Sequence, residues 1–234
     1  MNFPVILIGG GGHASVLIDA LKLQSVPIVG IVDTKLKRDR DRINGIPVLG
    51  DDEAVETYDS TKIRLVNGVG SVKTMEKRKE VFERFKRLGY TFYTVIHPSA
   101  IIASNVTLGE GVQIMAGAII QTGTTVGVNT IINTGASVDH DCIIGSHVHL
   151  GAGVTLSGSV RIDDETHVGT RAIVVQNIEI GKSEPTTFRI NSFGSIVVQN
   201  TEIGKNRFIR AGSLVTHRLI EEDKTITLNE TERP

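Results

Sequence analysis

The chain has 234 residues, with 25 Lys and Arg against 26 Asp and Glu and a net charge of −1, so it carries no surplus of positive charge to neutralise a phosphate backbone or an anionic membrane. Hydrophobic residues make up 40%, but the apolar runs are a few residues long, far short of the ~20 that a membrane-spanning helix needs. The opening MNFPVILIGG has no basic flank and reads as a strand and not a leader, so the expectation is a soluble, cytoplasmic protein with neither nucleic-acid binding nor membrane insertion.

The first part of the chain alternates strand and helix signals. VILI at 5–8 and IVGIV at 28–32 are short apolar runs, and between them Val16, Leu17, Ala20 and Leu21 recur at helical spacing. IRLVN at 63–67 reads as a third strand, followed by a charged amphipathic helix around 74–88 with Val81, Phe82, Phe85 and Leu88 inside, and by the β-branched run TFYTVI at 91–96. This is βαβ logic, and four or so strands make one small parallel sheet of Rossmann type. Between the first strand and first helix, Gly9, Gly10, Gly11 and Gly12 let the backbone turn sharply and present N–H groups to an anion. Gly9, Gly11 and Ala14, with Asp33 ending the second strand, fit the dinucleotide fingerprint. A unit this short covers one nucleotide better than two, which favours a nucleoside diphosphate over a redox dinucleotide.

From residue 100 the period changes to six. Ile102, Leu108, Ile114, Ile120, Val126, Ile132, Val138, Ile144, Leu150, Leu156, Ile162, Val168, Val174 and Ile180 form an unbroken series, each up to Val174 preceded two positions earlier by a small or compact residue, with Cys142 among them. Six is neither 2 nor 3.6, so neither an ordinary strand nor a helix explains it. A three-sided parallel β-helix does, with one aliphatic and one small residue inward per side and a coil every 18 residues. Stacked aliphatics also account for a chain with seven Phe, three Tyr and no Trp. IVVQNIEIGK at 173–182 reappears as IVVQNTEIGK at 196–205, 23 residues on, after which Val197, Ile203, Ile209 and Val215 resume the beat. Residues 183–194 are therefore expected to loop out. The division predicted is 1–97 as a Rossmann-like nucleotide-binding domain, 98–219 as the parallel β-helix and 220–234 as a cap or tail.

On this register His140 points outward near a prism corner, with Asp141 beside it to fix its tautomer and raise its basicity. Gly158 lies one coil above, leaving a gap that an acyl group could occupy. His149 is nine residues from His140, one and a half prism sides, so the two can meet only across an interface, which argues for a homotrimer. Cys142 points inward and reads as a small core residue. His97 falls at the domain junction, His167 reads as a surface residue, and His147 and His217 carry no assignment.

The chain resembles the bacterial sugar acetyltransferases of the sialic-acid O-acetyltransferase and PglD-like group, hexapeptide-repeat acyltransferases, which implies that 1–97 is a nucleotide-sugar-binding domain and that the β-helix at 98–219 is left-handed. The resemblance is carried by ILIGGGGHAS at 6–15, IVD at 31–33, VIHPSA at 95–100, the hexads and SVDHDCIIG at 137–145. It implies an acetyl-CoA-dependent N-acetyltransferase acting on the 4-amino group of a nucleotide-linked amino-dideoxy sugar, UDP- or GDP-linked, with direct transfer and no metal. It implies Gly11, Gly12, His13, Asp33, Thr34 and Gly70 as substrate contacts, with Thr34 standing where the family often has a second acid. It further implies His140 as general base beside Asp141, where the family often has Glu, and His149, Gly158 and Thr170 as acetyl-CoA contacts. Family members commonly finish with a Gly-x-Pro-Ala segment that this chain lacks. The other readings are an O-acetyltransferase of sialic acid or another sugar hydroxyl, a zinc-dependent solenoid of γ-carbonic-anhydrase type using His140, His147, His149 and His167, and a non-catalytic nucleotide-sugar-binding trimer.

Overall fold

The computed structural model describes residues 3–34, 42–71 and 75–180, together with the strands Arg189–Ile190, Ile196–Val197 and Leu214–Val215. The N-terminal unit is built on β1 (Val5–Ile8), α1 (Gly12–Leu23), β2 (Ile28–Val32), β3 (Arg42–Ile43), β4 (Ile46–Gly50), β5 (Arg64–Asn67) and α2 (Glu76–Arg87). Strand order is β3-β4-β2-β1-β5. β1 pairs in parallel with β2 and β5, β2 pairs in parallel with β4, and β3 closes an antiparallel hairpin onto β4. All four residues of β1 are buried, as a central parallel strand covered on both faces must be. α1 buries Ala14, Leu17, Ile18, Ala20 and Leu21, one stripe at helical spacing, whereas Val16 lies outside the stripe and is 46% exposed.

The hairpin β3–β4 and the short 3₁₀ helix Asp52–Thr57 are additions to the sequence-predicted elements. TFYTVI is a correction. It does not form a strand of the α/β sheet: Phe92 makes an isolated bridge to Leu65, and Val95–Ile96 (β6) pairs instead with Gln113–Ile114, as the first rung of the next unit.

That unit is a left-handed parallel β-helix. Two-residue rungs every six residues stack into three parallel sheets of seven, five and six strands. Partners are 18 residues apart, as in Ile120↔Val138 and Ile132↔Leu150. The predicted inward aliphatics from Ile114 to Ile180 are at most 2% exposed and form one continuous core with Cys142, while Ile102 and Leu108 pack against it at its N-terminal end. Corners have their own beat: every sixth residue from Gly111 to Asn177 has a positive φ, filled by Gly at five positions and by Asn129, Asp141, His147, Ser159, Glu165, Arg171 and Asn177 at the rest. The repeated segment pairs with itself across the longer interval, Ile173↔Ile196 and Val174↔Val197, and Val197 pairs in turn with Val215. The expected loop at 183–194 and tail at 220–234, and the hexad positions Ile203 and Ile209, lie outside the described residues apart from Arg189–Ile190.

One outer face of the prism is not solvent-facing. Val95, Gln113, Ile131, His149 and His167 form a single outward ladder in register. Val95 and Ile131 pack with α1 residues Leu17 and Leu21 in a shared core. The α/β unit therefore sits on this face, joined also by the ion pairs Lys79–Glu165 and Lys86–Glu110. Among the described residues no helix is long and apolar enough to cross a membrane.

Candidate active site

The glycine loop lies where β1 ends and α1 begins. Gly11 is the N-cap of α1 and offers no side-chain cap, so the N–H groups of the first turn remain available to an anion. Asp33 closes the loop from below, accepting a 2.7 Å hydrogen bond from the Gly10 N–H. Beside it opens a cleft of about 230 Å³ lined by Gly11, Asp33, Thr34, Gly70, Asp52 and Lys77, among others. Four of the six substrate positions expected from sequence thus converge. Gly12 is exposed one residue along α1, and His13 touches the rim, since a Cβ on Gly70 would sit 3.3 Å from its own Cβ. Sequence reading missed Asp52 and Lys77; the usable signal was a cation placed two positions into a helix that follows a second glycine turn, VNGVG. Burial pushes the Asp52 carboxyl above its ordinary range.

Behind the cleft runs a buried polar network that the hexad pattern concealed. His13 Nε2 and Gln113 Oε1 are 2.8 Å apart, and Gln113 Nε2 donates to the Asn67 carbonyl at 2.8 Å. Ser71 bonds His149 Nδ1, and Asn133 Nδ2 lies 3.1 Å from His149 Nε2. His167 stacks on His149 with ring centroids 4.7 Å apart. Asn129 Nδ2 donates to His147 Nδ1 at 2.9 Å, and the His147 ring meets Phe82 edge-on. Burial drives the His149 and His147 imidazoles below their ordinary range, and His13 down to about 4, with Arg78 adding to the effect on His13 and His149. Three histidines are therefore held neutral at pH 7.

His140 occupies a different corner, between the rungs Ser137–Val138 and Ile143–Ile144. Its ring is about half exposed, with Nδ1 2.8 Å from Asp141 Oδ2. Asp141 takes φ +59°, one of the left-handed corner positions, and although shorter than Glu it reaches the imidazole. Because the carboxylate accepts from Nδ1–H, the Nε2 lone pair is left to act as base. The hydrogen bond to Asp141, with Asp139 nearby, raises the proton affinity of His140. Two glycines frame the pair. A Cβ on Gly158 would stand 2.6 Å from His140 Cε1 and Nε2, and one on Gly123 would stand 2.3 Å from Asp141 Oδ1. The gap expected between Gly158 and His140 is therefore filled by the imidazole itself, a correction to the idea that it is free for an acyl group.

The chain does not bring all its candidates together. His149 is buried under the α/β unit, Thr170 lies at the corner between the rungs His167–Val168 and Ile173–Val174, and Gly158 stands with His140. Cys142 is buried and its thiol is pushed up by burial. His97 Nδ1 is bonded within its own turn by Ser99. His217 lies outside the described residues, and among the described residues no three metal-ligating side chains converge.

Fold, glycine loop and His–Asp corner together define a hexapeptide-repeat acyltransferase with an appended nucleotide-binding unit. The PglD N-terminal domain family matches residues 4–85. A histidine-to-asparagine variant of perosamine N-acetyltransferase from Caulobacter crescentus, in complex with CoA and GDP-perosamine, is 31% identical over 94% of this chain and 91% of its own, with a TM-score of 0.73. The acetyltransferase domain of PglB from Neisseria gonorrhoeae, in complex with acetyl coenzyme A, is 26% identical over 96% of both chains, TM-score 0.73. WeeI from Acinetobacter baumannii shares the fold at 19% identity, covering 91% of this chain and 96% of its own, TM-score 0.68. No curated protein matches the sequence. The chain belongs to the PglD-like family of bacterial sugar acetyltransferases.

Proposed function

We propose that the protein transfers the acetyl group of acetyl-CoA to the 4-amino group of an amino-dideoxy sugar carried on UDP or GDP. The observation that carries this reading is the His140 imidazole, bonded through Nδ1 to Asp141 on a solenoid corner, in a chain whose other unit presents an anion-binding glycine loop. The likeness to a perosamine N-acetyltransferase crystallised with CoA and GDP-perosamine supports it. The cleft beside Gly11, Asp33, Thr34 and Gly70 holds the nucleotide, with Gly12 in the first turn of α1 and Lys77 facing the diphosphate. Acetyl-CoA supplies an activated thioester. As the sugar amine attacks it, the amine proton passes to Nε2 of neutral His140, and Asp141 stabilises the imidazolium that forms. Gly158 and Thr170 contact the acetyl-CoA side, whereas His149, bonded at both ring nitrogens beneath the α/β unit, supports the junction instead.

We assign the working form to a homotrimer, with the reaction cleft between neighbouring solenoids. Ile101, Ile143 and Ile173, outward on the two faces that the α/β unit leaves open and 63%, 40% and 39% exposed, support such an interface. The division of labour follows residues 1–97 for the nucleotide sugar and 98–219 for the transfer. The test is CoA-thiol release from acetyl-CoA against UDP-, GDP- and CMP-linked sugars, amino and hydroxyl. Release confined to an amino sugar on UDP or GDP supports the reading; release only with hydroxyl acceptors, or with none, removes it.

A further inference from the structure

α2 buries one side chain that its amphipathic pattern does not call for. Arg78 lies on the apolar stripe with Val81, Phe82 and Phe85 and is fully buried. Its Nη1 donates to the carbonyls of Asn67 and Val69, both at 2.9 Å, and its Nε donates to the carbonyl of Asn129 at 3.2 Å. Nη2 is buried with no partner. Asn67 ends β5, Val69 lies in the segment just after it that lines the cleft, and Asn129 is a solenoid corner. Three carbonyls from two units thus converge on one guanidinium.

The segment is held at both ends. Asn67 Nδ2 donates to the Arg78 carbonyl and to Asn129 Oδ1, and Asn67 Oδ1 accepts from the Val69 N–H. Four residues on from Asn67, the Ser71 hydroxyl bonds His149 on the solenoid face. A buried cation with an orphaned donor is costly, and an apolar side chain of the same size would fill the space without that cost. The guanidinium is therefore there for what a planar fork alone can do, which is to fix several acceptors at set angles.

We propose that Arg78 is a positioning residue of the acetyl transfer, clamping the Gly68–Ser71 segment to the solenoid so that the bound nucleotide sugar presents its acceptor group in register with the reaction cleft. This rests on the reading of the cleft as the nucleotide-sugar site. Arg78→Lys keeps the charge and most of the volume but cannot span the three carbonyls, and Arg78→Met removes the charge as well.

The experiment compares wild type, Arg78→Lys and Arg78→Met by thermal melting, by calorimetric binding of UDP and GDP, and by steady-state thiol release. Expected for folded Arg78→Lys is a kcat loss of about 10- to 100-fold, the scale of a misplacement near 1 Å, with KM for acetyl-CoA unchanged and nucleotide affinity within about threefold. A merely structural role would lower the melting temperature and leave kcat per folded molecule intact, and that result overturns the inference. Should neither variant fold, amide exchange in the wild type decides: protection of Gly68 and Val69 equal to that of the solenoid rungs supports the clamp, and exchange at the rate of an open loop overturns it. Wild type that binds neither nucleotide removes the reading of the cleft and this inference with it; nucleotide binding with unchanged kcat in Arg78→Lys removes this inference alone.

Discussion

His13 in the first turn of α1 is bonded to Gln113 of the solenoid, Nε2 to Oε1, 2.8 Å apart across 100 residues of sequence. The orientation of the amide is fixed by its other end, because Gln113 Nε2 donates to the Asn67 carbonyl, which can only accept. His13 therefore carries its proton on Nε2 and keeps the Nδ1 lone pair. It offers the proposed nucleotide-sugar site a neutral ring and not a cation.

Gln113→Leu leaves that N–H without a partner in a buried place, while the Asn67 carbonyl keeps only its bond from Arg78 Nη1. The cost is about 1–3 kcal/mol for a buried donor or acceptor left unmade. Urea denaturation is expected to show a lower midpoint with an unchanged slope, because the surface exposed on unfolding is the same. A midpoint equal to wild type would mean that the junction exchanges this bond for water at no cost.

Acid is expected to destabilise the protein through the junction histidines. His13, His147 and His149 all bind protons less readily folded than unfolded, so wherever the unfolded chain is protonated and the folded one is not, stability rises with pH. Their contribution is complete above the unfolded value near 6.5 and is lost as pH falls from there towards the folded values, about 4 for His13. A shift of that size amounts to roughly 3 kcal/mol for His13. Denaturation midpoints between pH 7.5 and 4.5 should be flat at the upper end and fall below 6.5, with His13→Asn removing part of the slope.

The solenoid was legible because its code is local and repeated: each inward Ile, Leu or Val from Ile114 to Ile180 announces its own place, and burial at each follows. The glycine loop was legible for the same reason, as Gly9–Gly12 after an apolar strand needs no knowledge of the rest. The junction was not. Gln113, Ile131 and His149 are outward positions that look like any other solvent-facing hexad residue, and nothing in a period of six says which of three faces another unit will cover. Arg78 gave a sign that reading by charge overlooked, a cation three before Val81 and four before Phe82 on an otherwise apolar stripe. TFYTVI misled because a β-branched run states that a strand forms, and not which sheet it joins.

The pH dependence of turnover is expected to oppose nothing in the stability profile but to lie higher. In the proposed transfer His140 must be neutral to take a proton, and its hydrogen bond to Asp141 raises its proton affinity. The acid limb of kcat/KM should therefore have its midpoint above 6.5. Asp141→Asn removes the charged acceptor and allows the ring to hold its proton on Nε2, the wrong nitrogen for a base. Expected are a midpoint moved down towards 6.5 and a kcat loss of about 10- to 100-fold, within the range spanned by general-base effects. An unmoved midpoint would show that the limb reports a different group.

Gly158 sets the position of the His140 ring by having no side chain. Its φ is not in the left-handed region, so alanine fits the backbone there, and the whole effect of Gly158→Ala falls on the imidazole atoms Cε1 and Nε2 that a Cβ would approach to 2.6 Å. The ring is half exposed and free to swing outward, so the fold should tolerate the change, with a melting temperature close to wild type. Turnover should not, since displacing the base by about 1 Å costs up to a hundredfold. The double variant separates this from any separate effect on acetyl-CoA: if Gly158 acts through His140, adding Gly158→Ala to His140→Ala has no further effect on kcat, whereas independent roles would multiply.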